Sequence, residues 1–216
     1  MSRTRTIAIA GALIATSALA LQYVLQFRAM PGVAPLAVTW RYFGYFTILT
    51  NMLVASVWSG AALNRGGWLN GPRTEGLAFT AIAMVGILYH ALLASRWHPA
   101  GWQWIANFGV HTLTPVLFGV YWLARPHGAL KWRDAALFLL WPLGYCVYAL
   151  VRGGFDGWYA YYFLNPATTA PAQLALNILA QGAGFMFAGL IVIAADKGLL
   201  RPFSRSPQPD ASPSAP

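Results

Sequence analysis

The 216-residue chain is 58% hydrophobic and only 9% charged, with fourteen Lys and Arg against five Asp and Glu for a formal net charge of +9. Ordinary soluble domains carry roughly a quarter charged residues, so most of this chain cannot be solvated, which excludes a soluble, collagen-like, low-complexity or nucleic-acid-binding body. The lone Cys146 excludes an intrachain disulfide, a CxxC redox pair and a thiolate zinc cluster.

A helix needs about 20 apolar residues to cross a ~30 Å hydrocarbon core. Six runs of that kind follow one another, at residues 7–27, 39–63, 77–95, 102–124, 135–151 and 173–195. The connectors between them carry the Gly and Pro that punctuate helices, as in Asn70-Gly71-Pro72 and Arg152-Gly153-Gly154. The fold expected is all-α, a polytopic integral membrane protein whose six-transmembrane-helix bundle occupies residues 1–201. The tail at 202–216 is rich in Pro, Ser and Ala and reads as a disordered cytoplasmic segment. Arg3 and Arg5 before Ala18-Leu19-Ala20 outline a signal peptide. The apolar run continues to Phe27, however, longer than a signal sequence needs, and an uncleaved first helix is expected.

The positive-inside rule orients these spans. With the N-terminus cytoplasmic, Arg3, Arg5, Arg65, Arg73, Arg125, Lys131, Arg133, Lys197, Arg201 and Arg205 fall inside, and Arg28, Arg41, Arg96 and Arg152 outside, ten against four. Both termini are therefore expected in the cytoplasm, with the cell membrane as the location. Trp40, Trp97, Trp102 and Trp158 fall at the outer ends of spans, where indole rings favour the interface.

Polar side chains in hydrocarbon are costly, so each one in a span points into the bundle or marks a site. No Asp or Glu lies within the six runs, which argues against a carboxylate proton relay, a Ser-His-Asp triad and a carboxylate-bridged metal site. What remains falls on helical faces: Thr47, Thr50 and Asn51; Trp104, Asn107, His111 and Thr114; Trp141, Tyr145, Tyr148 and Arg152; Asn177, Gln181 and Gly184. Such residues ordinarily bond one helix to another, and four stripes together also suit a polar cavity. Thr47, His111 and Gln181 lie eight or nine residues into spans of the same direction, roughly 12 to 14 Å below the outer boundary by helical rise. A hydroxyl, an imidazole and an amide at one depth are the parts of a nucleophile, a base and an orienting group.

At these residues the chain resembles a known group. Tyr45-Phe46-Thr47-Ile48-Leu49-Thr50-Asn51, the segment from Asn107 through His111-Thr112 to Pro115, and the stretch from Tyr121-Trp122 through Trp141-Pro142 to Arg152-Gly153 carry the likeness, together with Gly157 to Asn165. Over roughly residues 42–177 they resemble the androgen-induced-gene family of multi-helix membrane hydrolases and its bacterial six-helix relatives. The resemblance implies an intramembrane Thr and His that hydrolyse fatty acid esters of hydroxy fatty acids, with the nucleophile on Thr47 and the base on His111. Thr50 departs from the pattern and competes as the nucleophile, and the bacterial branch usually has a Pro where Ala160 or Tyr162 stands here.

A Thr hydroxyl attacks only if a base accepts its proton, and His is the one such base in these stripes. Asn51, Asn107, Gln181 or a Tyr hydroxyl are candidate donors to the oxyanion, and Arg41 and Arg152 could hold a carboxylate head group or simply snorkel to the interface. This reading needs no cofactor and no metal, and its partners are membrane lipids and a lipid ester. Two other classes stand beside it. One is electron transfer by a haem held on His90 and His111, with His98 and His127 solvated in loops. The other is a small transporter or lipid-binding protein, with Pro115 and Pro142 kinking their helices.

Overall fold

A computed structural model describes residues 2–65, 67–95 and 97–199. Arg96, Arg201, Arg205 and the tail at 202–216 lie outside the described residues. Among those described the chain is all-helical. Helix α1 (Arg3–Ala29) is followed by α2 (Pro35–Tyr42), α3 (Phe46–Ala62) and α4 (Pro72–Leu88). Then come α5 (Trp102–Phe108), α6 (Thr114–Leu123), α7 (Asp134–Asp156) and α8 (Pro171–Gly198).

Four helices are long and apolar enough to cross a membrane: α1, α4 with its extension to Leu93, α7 and α8. Large apolar side chains on them point outward, among them Leu13, Ile87, Leu140, Val147, Leu179 and Phe187. That is the surface of a multi-pass membrane protein, whose exterior solvent is lipid. The interior is filled by Trp58, Ile82, Phe118, Tyr121 and Phe138. Helix α1 meets α3 through small residues, with Ala8, Gly11 and Ala15 buried. A β-carbon on Gly11 would stand 2.5 Å from the Trp58 ring, so this glycine is what lets the two helices close.

Two of the expected spans are not plain helices. The run at 39–63 is broken into α2 and α3 by Phe43, Gly44 and Tyr45, the last of these extended. The break is stable because α7 supplies partners for the carbonyls a helix end leaves orphaned: the Tyr145 hydroxyl donates to Gly44 O at 2.9 Å and the Tyr148 hydroxyl to Phe43 O at 3.1 Å. The run at 102–124 passes from α5 to α6 through a π turn, Gly109–Leu113, in which the Thr114 N–H reaches back to Gly109 O. Pro115 has no N–H to offer the His111 carbonyl, which a regular helix would require. A second π turn, Tyr89–Leu93, ends α4.

Several polar residues sit differently from their sequence expectation. Helices α4, α7 and α8 extend far enough to include Glu75, Asp134 and Asp196, all three buried. They are tolerated because each is paired: Glu75 with Arg125 and Tyr121, Asp134 with Arg73, Asp196 with the Leu130 N–H. His127 is not solvated. Its ring is nearly buried and its Nδ1 lies 3.2 Å from the Asp196 carboxylate. Trp104 is exposed and stacks on Phe108, outside the polar stripe assigned to it.

Candidate functional site

The break before α3 places Thr47 in the first turn of that helix, where backbone N–H groups have no partner within the helix. The π turn carries His111 toward it. Thr47 Oγ1 and His111 Nε2 are 3.3 Å apart, although 64 positions separate them in the chain. On the far side of the ring, Nδ1 lies 3.2 Å from the Asn107 carbonyl oxygen. A carbonyl only accepts, so Nδ1 carries the ring proton. In the neutral ring Nε2 then presents its lone pair to the Thr47 hydroxyl, which donates.

Several contacts hold this pair. The Asn51 amide donates twice, to Thr47 O at 2.8 Å and to Val110 O at 3.1 Å, and so pins the start of α3 to the π turn. The Tyr89 ring stacks on His111 with centroids 4.0 Å apart. The Asn107 amide in turn donates to the Tyr89 hydroxyl at 2.6 Å. Gly86 lets α4 come this close, since a β-carbon there would sit 3.1 Å from His111 O. From the α7–α8 connection Tyr161 joins Thr47 in the walls of the space around the pair, with its hydroxyl on the side of the Phe46 and Thr47 main chain.

Two cavities meet at the pair. One, of about 250 Å³, lies among α4, α7 and α8 and is walled by Val85, Leu88, Phe163, Phe185 and other apolar groups, with Asn177 and Gln181 on its α8 side. The other, of about 660 Å³, lies toward α1 and α5 and is more polar, bordered by Gln22, Gln26, Arg41, Tyr45 and Gln103. Thr47, Tyr89, Leu93, His111 and Tyr161 line both. The pair thus stands where a largely apolar cavity meets a wider one bordered by Arg41 and the amides of Gln22, Gln26 and Gln103.

The remaining sequence candidates divide. Gln181 faces the apolar cavity, with its amide 3.3 Å from Asn177 O. Asn51 has both amide protons engaged by carbonyls, so it braces the site and has none to give an oxyanion. Asn107 keeps one amide proton beyond its bond to Tyr89. Thr50 is buried and accepts from Trp141 Nε1 at 3.0 Å, lining neither cavity. Arg41 borders the polar cavity. Arg152 does not snorkel and lines neither of these two cavities. It is 3% exposed, with its guanidinium between the rings of Trp40 and Trp158 and 3.6 Å from Asp156. His90 turns away from the pair to meet Thr112 Oγ1 at 3.0 Å, and the Tyr89 ring contacts His90 and His111 alike. His98 is exposed.

Tyr89 and Tyr161 escaped the sequence reading. Neither belongs to a polar stripe on a regular helix: Tyr89 opens a π turn and Tyr161 comes from a connector. The one available signal was the pair of chemistry-bearing segments around His90 and His111, since π turns gather at functional sites. No family model, curated protein or solved structure matches this chain.

Proposed function

We propose that the chain is an intramembrane hydrolase of lipid esters, of the fatty acid ester of hydroxy fatty acid type, and a member of the androgen-induced-gene family. The observation that carries this reading is the 3.3 Å approach of the Thr47 hydroxyl to His111 Nε2 where two cavities meet. Thr47 Oγ attacks the ester carbonyl carbon as its proton passes to His111 Nε2, and the carbonyl oxygen becomes the oxyanion. The tetrahedral centre collapses by breaking its bond to the alcohol oxygen, which takes the proton from His111. Water, deprotonated by the same nitrogen, then cleaves the acyl-Thr47 ester and restores the hydroxyl. The N–H groups of Phe46 and Thr47, which have no acceptor within α3, and the Tyr161 hydroxyl beside them serve the oxyanion. The apolar cavity takes the acyl chain. The polar cavity takes the alcohol portion, with Arg41 toward its acid group.

The same reading includes six membrane crossings. The path from α5 to α6 counts as one despite its π turn, and α3 as another, with α2 at the outer interface. Both termini then lie in the cytoplasm, which sets Arg5, Arg65, Arg73, Arg125, Lys131 and Lys197 on the inner side of the cell membrane.

A fluorophosphonate probe for serine and threonine hydrolases tests this. Labelling of the purified protein is expected at Thr47 and lost in His111→Ala. Full esterase activity in Thr47→Ala overturns the reading.

A further inference from the structure

At the other end of α3, roughly 20 Å along the helix from Thr47 by helical rise, a separate polar cavity of about 280 Å³ lies between the start of α1, the end of α3 and the end of α6. Arg5, Arg65 and Arg125 border it, with the hydroxyls of Ser2 and Thr4. The arginines are held differently. Arg5 spends only Nε, on Ala62 O at 2.9 Å, which leaves both Nη groups. Arg125 is oriented by Glu75, whose two carboxylate oxygens lie 3.0 Å from its Nε and Nη2. Three arginines against one carboxylate leave two positive charges around the cavity.

This cavity does not end in polar surface. Gly60, Arg65, Gly67 and Asn70 also border an open groove of about 590 Å³ that runs along α1 and α3 past Leu19, Met52, Ala55 and Leu63. Trp68, exposed beside the groove, is placed as an indole at a membrane interface would be. A cationic cup opening into an apolar channel on the lipid-facing side matches a phosphate attached to a hydrocarbon chain.

We infer that this end of the bundle binds one anionic phospholipid, its phosphate in the cup of Arg5, Arg65 and Arg125 and an acyl chain in the groove between α1 and α3. The excess positive charge selects a head group whose phosphate is not neutralised by an ammonium. A phosphatidylglycerol is therefore preferred over a phosphatidylcholine. A free phosphate would share the cup and gain nothing from the groove.

The test uses the full chain in nanodiscs of equal phosphatidylglycerol and phosphatidylcholine, with the lipid retained after transfer to detergent read by native mass spectrometry. Enrichment of phosphatidylglycerol on the order of tenfold is expected. Arg5→Gln with Arg65→Gln should abolish it, and so should Ser56→Trp, which fills the groove, while Thr47 labelling shows that both variants remain folded. Equal retention of the two lipids by the unaltered protein overturns the proposal, as does enrichment that survives the arginine changes. Displacement of the lipid by millimolar glycerol 1-phosphate, with Ser56→Trp still enriched, assigns the cup to a soluble phosphate and overturns the lipid assignment.

Discussion

Tyr145 donates its hydroxyl to the carbonyl of Gly44 at 2.9 Å, a bond between residues 101 positions apart that ties α7 to the break between α2 and α3. Everything at the Thr47 end depends on that break. It ends one helix and starts another at Phe46, one residue before Thr47, and so leaves Thr47 in a first turn whose N–H groups lack a full set of partners within the helix. Tyr145→Phe leaves the Gly44 carbonyl without its donor, which is expected to cost ~1–3 kcal/mol. A lower thermal midpoint in detergent together with slower probe labelling of Thr47 is the expected result. Unchanged values of both would show that the break is held by other contacts.

Gly44 itself tolerates no side chain. A β-carbon there would run into the Arg152 guanidinium and approach the Trp158 ring to 2.5 Å, and Arg152 has no open space into which to swing. Gly44→Ala should therefore destabilise by at least ~1–3 kcal/mol, the usual range for overpacking. Gly154, in α7, is the contrasting case: an added methyl meets nothing within 4 Å. Gly154→Ala should raise the thermal midpoint slightly, because Ala is better than Gly in a helix by roughly 0.5–1 kcal/mol.

The two threonines of α3 separate in experiment. Thr50→Ala removes the acceptor for Trp141 Nε1 and should lower stability by ~1 kcal/mol while Thr47 still labels. Thr47→Ala should reduce ester hydrolysis roughly a thousandfold or more, as loss of a nucleophile does, with circular dichroism unchanged. Labelling that disappears in Thr50→Ala and persists in Thr47→Ala would reverse the assignment.

Asn51 is predicted to act by position. Its amide clamps Thr47 O and Val110 O together, so Asn51→Ala frees the start of α3 from the π turn that carries His111. The labelling rate is expected to fall roughly tenfold to a hundredfold, since a misplacement of about an ångström costs that much. Asn51→Asp, which keeps the size and loses the two donors, should behave like the Ala variant. Recovery of the full rate in Asn51→Asp would point to packing alone.

At the far end, Asp196→Ala removes the acceptor for the buried Leu130 N–H at 3.0 Å and the partner of His127. An orphaned buried N–H costs ~1–3 kcal/mol, and that loss should appear as a lower thermal midpoint with Thr47 labelling unaffected.

Much of this was legible in the linear chain because membrane helices are written in apolar length and in the phase of their polar residues. The continuous helices α1, α7 and α8 lie where the apolar runs put them, extended by one to five residues at their ends. The stripe Trp141, Tyr145, Tyr148, Arg152 does face one way, and the depth shared by Thr47 and His111 matches their contact. What depth could not tell was purpose: Tyr145 and Tyr148 of that stripe brace the helix break, and of the four only Tyr145 walls either cavity at the pair.

The sequence by itself determined that this is a helical membrane protein and which few polar side chains its bundle would contain, because burial in lipid leaves a chain little choice of backbone. The tertiary structure alone decided where regular helix gives way. The break at Gly44 exists because Tyr145 and Tyr148 arrive from α7, and the turn at His111 is tolerated because Asn51 and Tyr89 arrive from α3 and the end of α4. Irregular backbone inside a membrane survives only where another element supplies its missing hydrogen bonds, and no local pattern announces a partner 101 positions away.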